Sequence, residues 1–295
     1  MSSAASLSRR QFLLLLAPAL ALVLLLFGGG LAYSVLQSLG WQPLIGRTTL
    51  SLDAYANLLF GPNYRDVFWS GLLFSLWVSL ASTVLSAVLA VAVALLILQA
   101  AGRSRFWAFL LQFNLPVPHL VAAIGLLFLL SQSGLLSRGT AALGLTAAPA
   151  DFPVLVRDTT GIGIILAYVW KEVPFIGLIV FGVLQTLNTS LVQAARNLGA
   201  NGWQRFRYII LPLIAPSLLS SSLIVFAFTF GAYEIPALLG VRYPRALPVT
   251  ALLLFNDADL NSRTEAMALS VIITLVTALV LGGYLWLRDS APRLD

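Results

Sequence analysis

Six long runs of apolar residues alternate with shorter polar segments along this chain. Each run provides the roughly 20 residues that an α-helix needs to cross the hydrocarbon core of a bilayer. The first run, for example, has no charged residue between Gln11 and Gly46. The pattern predicts an all-α membrane protein with six transmembrane helices, over about 12–39, 69–98, 106–131, 161–187, 217–239 and 266–287.

The first apolar run follows two arginines, Arg9 and Arg10. The segment 8–14 resembles a twin-arginine export signal, so cleavage is one interpretation. The run continues past three glycines at 28–30 and lacks a clear small-residue cleavage site. We therefore interpret it as a retained first helix, behind a cytoplasmic N-terminus over residues 1–11.

Two prolines, Pro116 and Pro118, fall inside the third run beside the only histidine, His119. They predict a kinked helix or a half-helix at this point. His119 is open to two interpretations, a residue that lines a pathway or a packed histidine. The segment 132–160 shows no helical stripe and is predicted to be a loop.

Composition supports a membrane class and excludes several chemistries. The chain is 59% hydrophobic and 9% charged, whereas soluble domains carry about 25% charged residues. It has no cysteine and one histidine, so disulfides, thiolate or imidazole metal clusters and Cys–His or Ser–His catalysis are not expected. We predict neither a metal site nor a catalytic residue.

Short basic turns predict the orientation of the helices. Arginines cluster in the turn between the second and third runs and in the segment between the fourth and fifth runs. Because positive charge favours the cytoplasmic side, both turns are predicted to be cytoplasmic, and so are both termini. The arginines concerned are Arg103, Arg105, Arg196, Arg205 and Arg207.

The polar segment between the fourth and fifth runs has the pattern of two short helices that meet at a tight bend. Ser190 and Gln193 form a capping-box pattern for the first helix, and Gly199 is suited to end it. Asn201 and Gln204 repeat the capping pattern for a second helix.

This segment resembles the EAA loop of ATP-binding-cassette (ABC) importer permeases. The resemblance is carried by two alanines, a glycine–alanine pair, a phenylalanine and a leucine–proline pair at fixed offsets: Ala194, Ala195, Gly199, Ala200, Phe206, Ile209, Leu211, Pro212 and Pro216. Gln193 stands where the family usually has glutamate. An amide can still cap a helix, but it cannot form an ion pair.

The resemblance implies a type I importer permease with the MetI-like architecture, in a bacterial plasma (inner) membrane. Residues 12–295 would be the transmembrane permease domain, and residues 188–216 would hold the coupling helix that seats in a groove of an ATPase subunit. Its implied coupling residues are Gln193, Ala194, Ala195, Arg196, Gly199, Ala200, Phe206, Leu211 and Pro212.

The family also implies partners. These are a dimer of ABC ATPase subunits, a second permease subunit that is the same chain or a homologous one, and an extracytoplasmic solute-binding protein. No nucleic acid partner is expected. The chain has no Walker-type glycine loop, so ATP would be bound by the ATPase partner. We expect this chain to be a non-catalytic subunit without a cofactor.

Three charged residues in the predicted spans are candidates for the solute path: Lys171, Glu172 and Glu234. Ionisable groups at this depth favour protein or water over lipid. The alternative is structural, with Lys171 snorkelling, Glu172 bonded to a neighbouring helix and Glu234 at the interface. The segment 230–240 looks most similar to permeases of the polyamine, opine and phosphonate branch, which favours a small hydrophilic, polyamine-type cation.

Two other classes of function compete with this interpretation. An ion-gradient-driven secondary transporter would use Glu172 as a proton or cation site, but it would not explain the EAA-like segment. An intramembrane enzyme would need paired carboxylates or a nucleophile with a base inside the spans, and the predicted spans offer no convincing set.

Overall fold

The computed structural model describes residues 9–99, 106, 109, 111–186 and 189–290. Within these ranges the regular elements are helical, apart from an isolated antiparallel bridge between Gln42 and Arg47. The helices are α1 (Arg9–Val23), α2 (Gly29–Ser38), α3 (Asp53–Phe60), α4 (Arg65–Gln99), α5 (His119–Leu130), α6 (Leu135–Ala142), α7 (Ile162–Thr186), α8 (Thr189–Asn197), α9 (Gly202–Arg205), α10 (Leu211–Gly231), α11 (Glu234–Leu239), α12 (Leu247–Phe255) and α13 (Ser262–Ser290).

Six helical segments in the described part of the chain are long and apolar enough to cross a membrane. The predicted all-α architecture with six such helices is confirmed. The segments are Leu13–Ser38, Arg65–Leu98, His119–Ala142, Ile162–Thr186, Gly202–Gly231 and Ser262–Trp286.

The predicted third span, 106–131, is helical at its described residues 106, 109, 111 and 112 and is then interrupted. Residues 113–118 are not helical, and α5 begins only at His119. Pro116 and Pro118 lack amide hydrogens, and each disfavours the helical conformation for the residue before it. The predicted loop 132–160 is also wrong in part, because it contains α6 and a 3₁₀ turn at Pro149–Asp151.

The predicted fifth span, 217–239, is wrong at both ends. The helix begins at Gly202, passes through a π-helical turn at Phe206–Ile210 and continues as α10 to Gly231. Extended backbone at Ala232 then separates α10 from the short helix α11. The second arm of the predicted bend is therefore continuous with the fifth membrane helix, because the π-helical turn accommodates the amide that Pro212 lacks.

Some predicted features lie outside the described residues. The basic turn with Arg103 and Arg105 is one of them, and so are residues 1–8, 187–188 and 291–295. The side chain of Ser190, which belongs to the first predicted capping box, also lies outside the described part of the structure.

The chain divides into two compact units. One comprises Met1–Arg65 and Ala251–Ile272. Within it the side-chain amide of Gln42 lies 2.8 Å from the Thr264 hydroxyl. No part of the most apolar window of the first span is buried. Lipid or another protein chain must therefore surround that helix in a membrane.

The other unit comprises Asp66–Thr250 and Ile273–Asp295, and it holds two apolar clusters. The first cluster uses the N-terminal third of α7 and residues of α5, α11 and α12, including Ile164, Tyr168 and Ile235. The second uses the C-terminal part of α7 with α4 and α10, including Ile176 and Val225. Lys171 and Glu172 lie on α7 between the two clusters.

Candidate functional site

The predicted bend is an elbow between α8 and α9. Gly199 has φ +84, a left-handed conformation that glycine adopts without steric cost. The amide of Gly199 donates to the Arg196 carbonyl at 3.0 Å, and the Ala200 amide donates to the Ala195 carbonyl at 2.9 Å. This pair of bonds is a Schellman motif, the usual way in which a glycine ends a helix.

The second arm of the elbow opens with the predicted capping box. The Gln204 amide donates to Asn201 Oδ1 at 2.9 Å, and the Asn201 amide donates to Gln204 Oε1 at 2.8 Å. Side chains thereby satisfy two backbone donors that the start of a helix would otherwise leave unpaired. The bend is consequently fixed on both sides by local hydrogen bonds.

A hollow of about 430 Å³ lies inside the elbow, lined by Ala195, Leu198, Gly199, Ala200, Gln204, Arg205, Tyr208 and Ile209. Three predicted coupling residues line it, namely Ala195, Gly199 and Ala200. Gln193, Ala194, Arg196 and Pro212 are exposed outside this lining, whereas Phe206 and Leu211 pack against the second apolar cluster. Leu198 is 89% exposed, so the apex presents a large apolar side chain that nothing in the described chain covers.

A buried polar cluster is built around the middle of α7. Pro174 lies inside this helix and has no amide to donate to the carbonyl four residues earlier, that of Trp170. The side-chain amide of Asn114 donates to that carbonyl at 2.5 Å. A polar residue from the non-helical segment 113–118 thereby satisfies the backbone group that the proline leaves free.

Lys171 holds the same non-helical segment. Its Nζ donates to the carbonyl oxygens of Asn114 at 2.9 Å and Val117 at 2.7 Å, and the residue is 4% exposed. Backbone carbonyls outside a helix need donors at membrane depth. Lys171 provides them, so it does not snorkel to an interface.

Glu172 faces a different partner, as expected for neighbours about 100° apart on a helix. Its Oε1 lies 3.2 Å from Nε2 of His119. The His119 ring also lies 4.7 Å from the ring of Phe228, centroid to centroid. The cluster therefore joins α7 to the start of α5 and to α10.

The third path candidate, Glu234, lies on another helix. Glu234 is half-buried and is the first residue of α11, not part of the fifth membrane helix. In the described part of the chain no hydrogen bond joins it to Lys171 or Glu172. The structure brings two of the three predicted path residues together on α7, and Glu234 lies on a separate short helix that packs against α7.

Sequence reasoning missed Asn114 and left His119 undecided. One signal was present, since two prolines in an apolar run leave carbonyl groups that need donors. Lys171 is the only lysine in the chain. The pairing of the Lys171 ammonium group with the carbonyls of Asn114 and Val117 depends on tertiary structure, because these residues lie 57 and 54 positions away along the chain.

Comparison with known proteins identifies the architecture. Residues 103–290 match the family described as binding-protein-dependent transport system inner membrane component. A solved bacterial ABC transporter involved in the import of the acidic polysaccharide alginate superimposes with a TM-score of 0.77, 18% identity and coverage of 96% of this chain and 98% of that chain. The predicted importer-permease fold is confirmed.

Relatives with known names differ in solute. The spermidine/putrescine transport system permease protein PotB of Haemophilus influenzae is 29% identical over 192 residues, 65% of this chain and 64% of its own length. The sn-glycerol-3-phosphate transport system permease protein UgpA of Brucella abortus is 29% identical over 280 residues, 90% of this chain and 91% of its own length. One of these names specifies a cationic solute and the other an anionic one.

Proposed function

This chain belongs to the family of binding-protein-dependent transport system inner membrane components, and we propose that it forms half of the translocation path of an ABC importer for a small hydrophilic solute. It is a multi-pass ABC permease of the inner membrane. In this proposal a dimer of separate ATPase subunits binds ATP, a second permease chain completes the path, and a solute-binding protein delivers the solute. The chain itself needs no cofactor.

The elbow between α8 and α9 is the observation that carries the coupling role. Local hydrogen bonds fix its bend, and its second arm runs into a membrane helix without a break. A force applied to the apex is therefore transmitted to α10, and through α10 to α7, against which it packs. A rigid lever of this kind suits the conversion of ATPase closure into movement of the path.

Purification of the tagged chain from its native membrane tests the proposal. We expect an ABC ATPase subunit and a second permease chain to co-purify with it. ATP depletion should stop transport by the reconstituted complex, and an uncoupler should not. Transport that stops with the uncoupler and survives ATP depletion would instead support an ion-gradient-driven transporter.

The proposed orientation places the elbow and both termini in the cytoplasm. The chain has no cysteine, so single cysteines report position without interference. Leu198→Cys at the apex and Leu145→Cys in the α6–α7 segment replace side chains that are 89% and 73% exposed. In membrane vesicles without the ATPase, Leu198→Cys should react with an impermeant thiol reagent only from the cytoplasmic face, and Leu145→Cys only from the outer face. The reverse pattern would contradict the orientation.

A polyamine-type cation remains a prediction, and it depends on Glu172. If this carboxylate stabilises a cation, labelled spermidine should enter proteoliposomes that contain the complete importer. Glu172→Gln should lower that uptake about fivefold, which corresponds to a free-energy difference of about 1 kcal/mol. Assembly should be unchanged, because an amide can still form a hydrogen bond with His119. Glu265→Gln, the same change at a glutamate that is not a path candidate, is the matched control and should transport like the parent. A parent importer that ignores spermidine would contradict the cation.

A further inference from the structure

A second cavity lies where α5, α6 and the segment before α7 meet. Its volume is about 670 Å³, and its lining includes Arg138, Arg157, Ser131, Gln132, Ser133 and Phe128. In the proposed orientation it opens on the outer side of the membrane, because α5 leads outward from the buried cluster. The coupling elbow and the Lys171 cluster contribute no residue to it.

Arg157 adopts an unusual backbone conformation at this cavity. Its φ of 59 is the only positive φ of a non-glycine residue in the described part of the chain. Its amide donates to the Leu239 carbonyl at 2.7 Å, which holds the backbone in place. Glycine would take this conformation without strain, so what arginine adds at the position is a side chain that lines the cavity. Strained residues of this kind cluster at functional sites.

Arg138 is oriented by a single backbone contact. Its Nε donates to the Ser133 carbonyl at 3.2 Å, which leaves the two terminal nitrogens of the guanidinium for other acceptors. Neither Arg138 nor Arg157 forms an ion pair with any residue of the described ranges. Two positive charges therefore line one cavity, and neither lies within ion-pair distance of a carboxylate in the described ranges.

The two nearby acidic residues, Asp151 and Asp158, accept hydrogen bonds from backbone amides. Asp151 Oδ2 accepts from the amides of Ala147 and Ala148 at 2.9 and 2.8 Å. Asp158 caps α7 through the Ile162 amide at 2.9 Å. Partial burial alone would raise the pKa of the Asp158 carboxyl, but hydrogen bonds from Thr160 and the first amides of α7 outweigh it and hold that pKa below its usual range.

We propose that this cavity is an anion site at the outer mouth of the path, where the arginines receive a carboxylate or phosphate group of the solute. Guanidinium groups bind such oxyanions with paired, charge-assisted hydrogen bonds. The proposal rests on the importer function for its place in transport, and it assigns an anionic class of solute, as the alternative to the polyamine-type cation that the spermidine uptake experiment tests. An outer-leaflet lipid headgroup presents the same phosphate chemistry, so the test has to separate the two sources.

Arginine modification, counted residue by residue with mass spectrometry, tests the site directly. The full chain is placed in nanodiscs of neutral phosphatidylcholine and treated with a phenylglyoxal reagent, alone or with inorganic phosphate, glucuronate or spermidine. All three arginines are exposed, but Arg242 lies outside the cavity. Phosphate and glucuronate should therefore slow the modification of Arg138 and Arg157 and leave Arg242 unaffected. In Arg138→Gln, protection of Arg157 by glucuronate should require about tenfold more anion, a loss of about 1.4 kcal/mol. Arg242→Gln is the matched control and should leave the requirement unchanged.

Three results would overturn the proposal. The first is no protection by either anion, and the second is protection that Arg138→Gln leaves intact. The third is protection in phosphatidylglycerol nanodiscs without added anion, which would assign the site to a lipid headgroup. The assay needs neither ATPase nor uptake, so its outcome is independent of whether the chain couples to ATP.

Discussion

Gly199→Val should release the chain from the proposed ATPase partner while leaving membrane insertion intact. The left-handed conformation costs an ordinary L-residue about 1–2 kcal/mol, and a β-branched residue more. A Cβ at this glycine would meet no atom within 4 Å, so the effect comes from the backbone alone. The elbow should relax, break the Schellman motif and turn the exposed Leu198 away from its proposed docking position. We expect at least about tenfold less ATPase subunit to co-purify, the equivalent of about 1.4 kcal/mol.

Two variants separate backbone conformation from side-chain bulk. Gly199→Asn places a larger side chain at the same point, but asparagine tolerates the left-handed region, so co-purification should stay close to that of the parent. Gly139→Val adds the same bulk in α6, at another glycine where a Cβ would meet no atom within 4 Å and where φ is not positive, and it should have little effect. Equal loss in Gly199→Asn and Gly199→Val would show that the bend is not what the ATPase recognises.

The features that could be predicted from sequence are local ones. A membrane helix needs only an apolar run of sufficient length, so the first, second, fourth and sixth spans have predicted ends within a few residues of the helices seen. The Gly199 bend and the Asn201–Gln204 box involve residues at most five positions apart. Their hydrogen bonds follow from residue type and spacing, without tertiary information.

Prolines show why the rest was harder to predict. Pro116 and Pro118 break the third helix, whereas Pro212 and Pro216 lie within α10, which continues through them. The two cases differ in the surrounding contacts. At Pro116 and Pro118, the Lys171 ammonium group and the Asn114 side chain form hydrogen bonds that stabilise the non-helical segment. In the other case a π-helical turn lies just before Pro212 and accommodates the amide that this proline lacks. Neither outcome can be read from the proline alone.

Lys171→Met should destabilise the whole chain more than any other single change in the buried cluster. The substitution keeps an unbranched side chain but removes the donor for two carbonyls, those of Asn114 and Val117. Hydrogen bonds to charged groups contribute about 1.5–3 kcal/mol each. The combined loss of about 3–6 kcal/mol is a large share of the stability of a typical domain, about 5–15 kcal/mol. Thermal unfolding of the purified chain in detergent should show a marked fall in the midpoint.

Matched variants decide whether this loss comes from the non-helical segment 113–118. Leu166→Met makes a volume-conserving change on the same helix and should cost less than about 1.5 kcal/mol. Asn114→Leu removes the other contact that holds the segment, to the Trp170 carbonyl, and should destabilise in the same direction. Because both contacts hold one segment, the double variant should lose less than the sum of the two single losses. Strict additivity would mean that Lys171 and Asn114 act independently, and a Lys171→Met chain as stable as Leu166→Met would mean that water satisfies the carbonyls in place of the ammonium group.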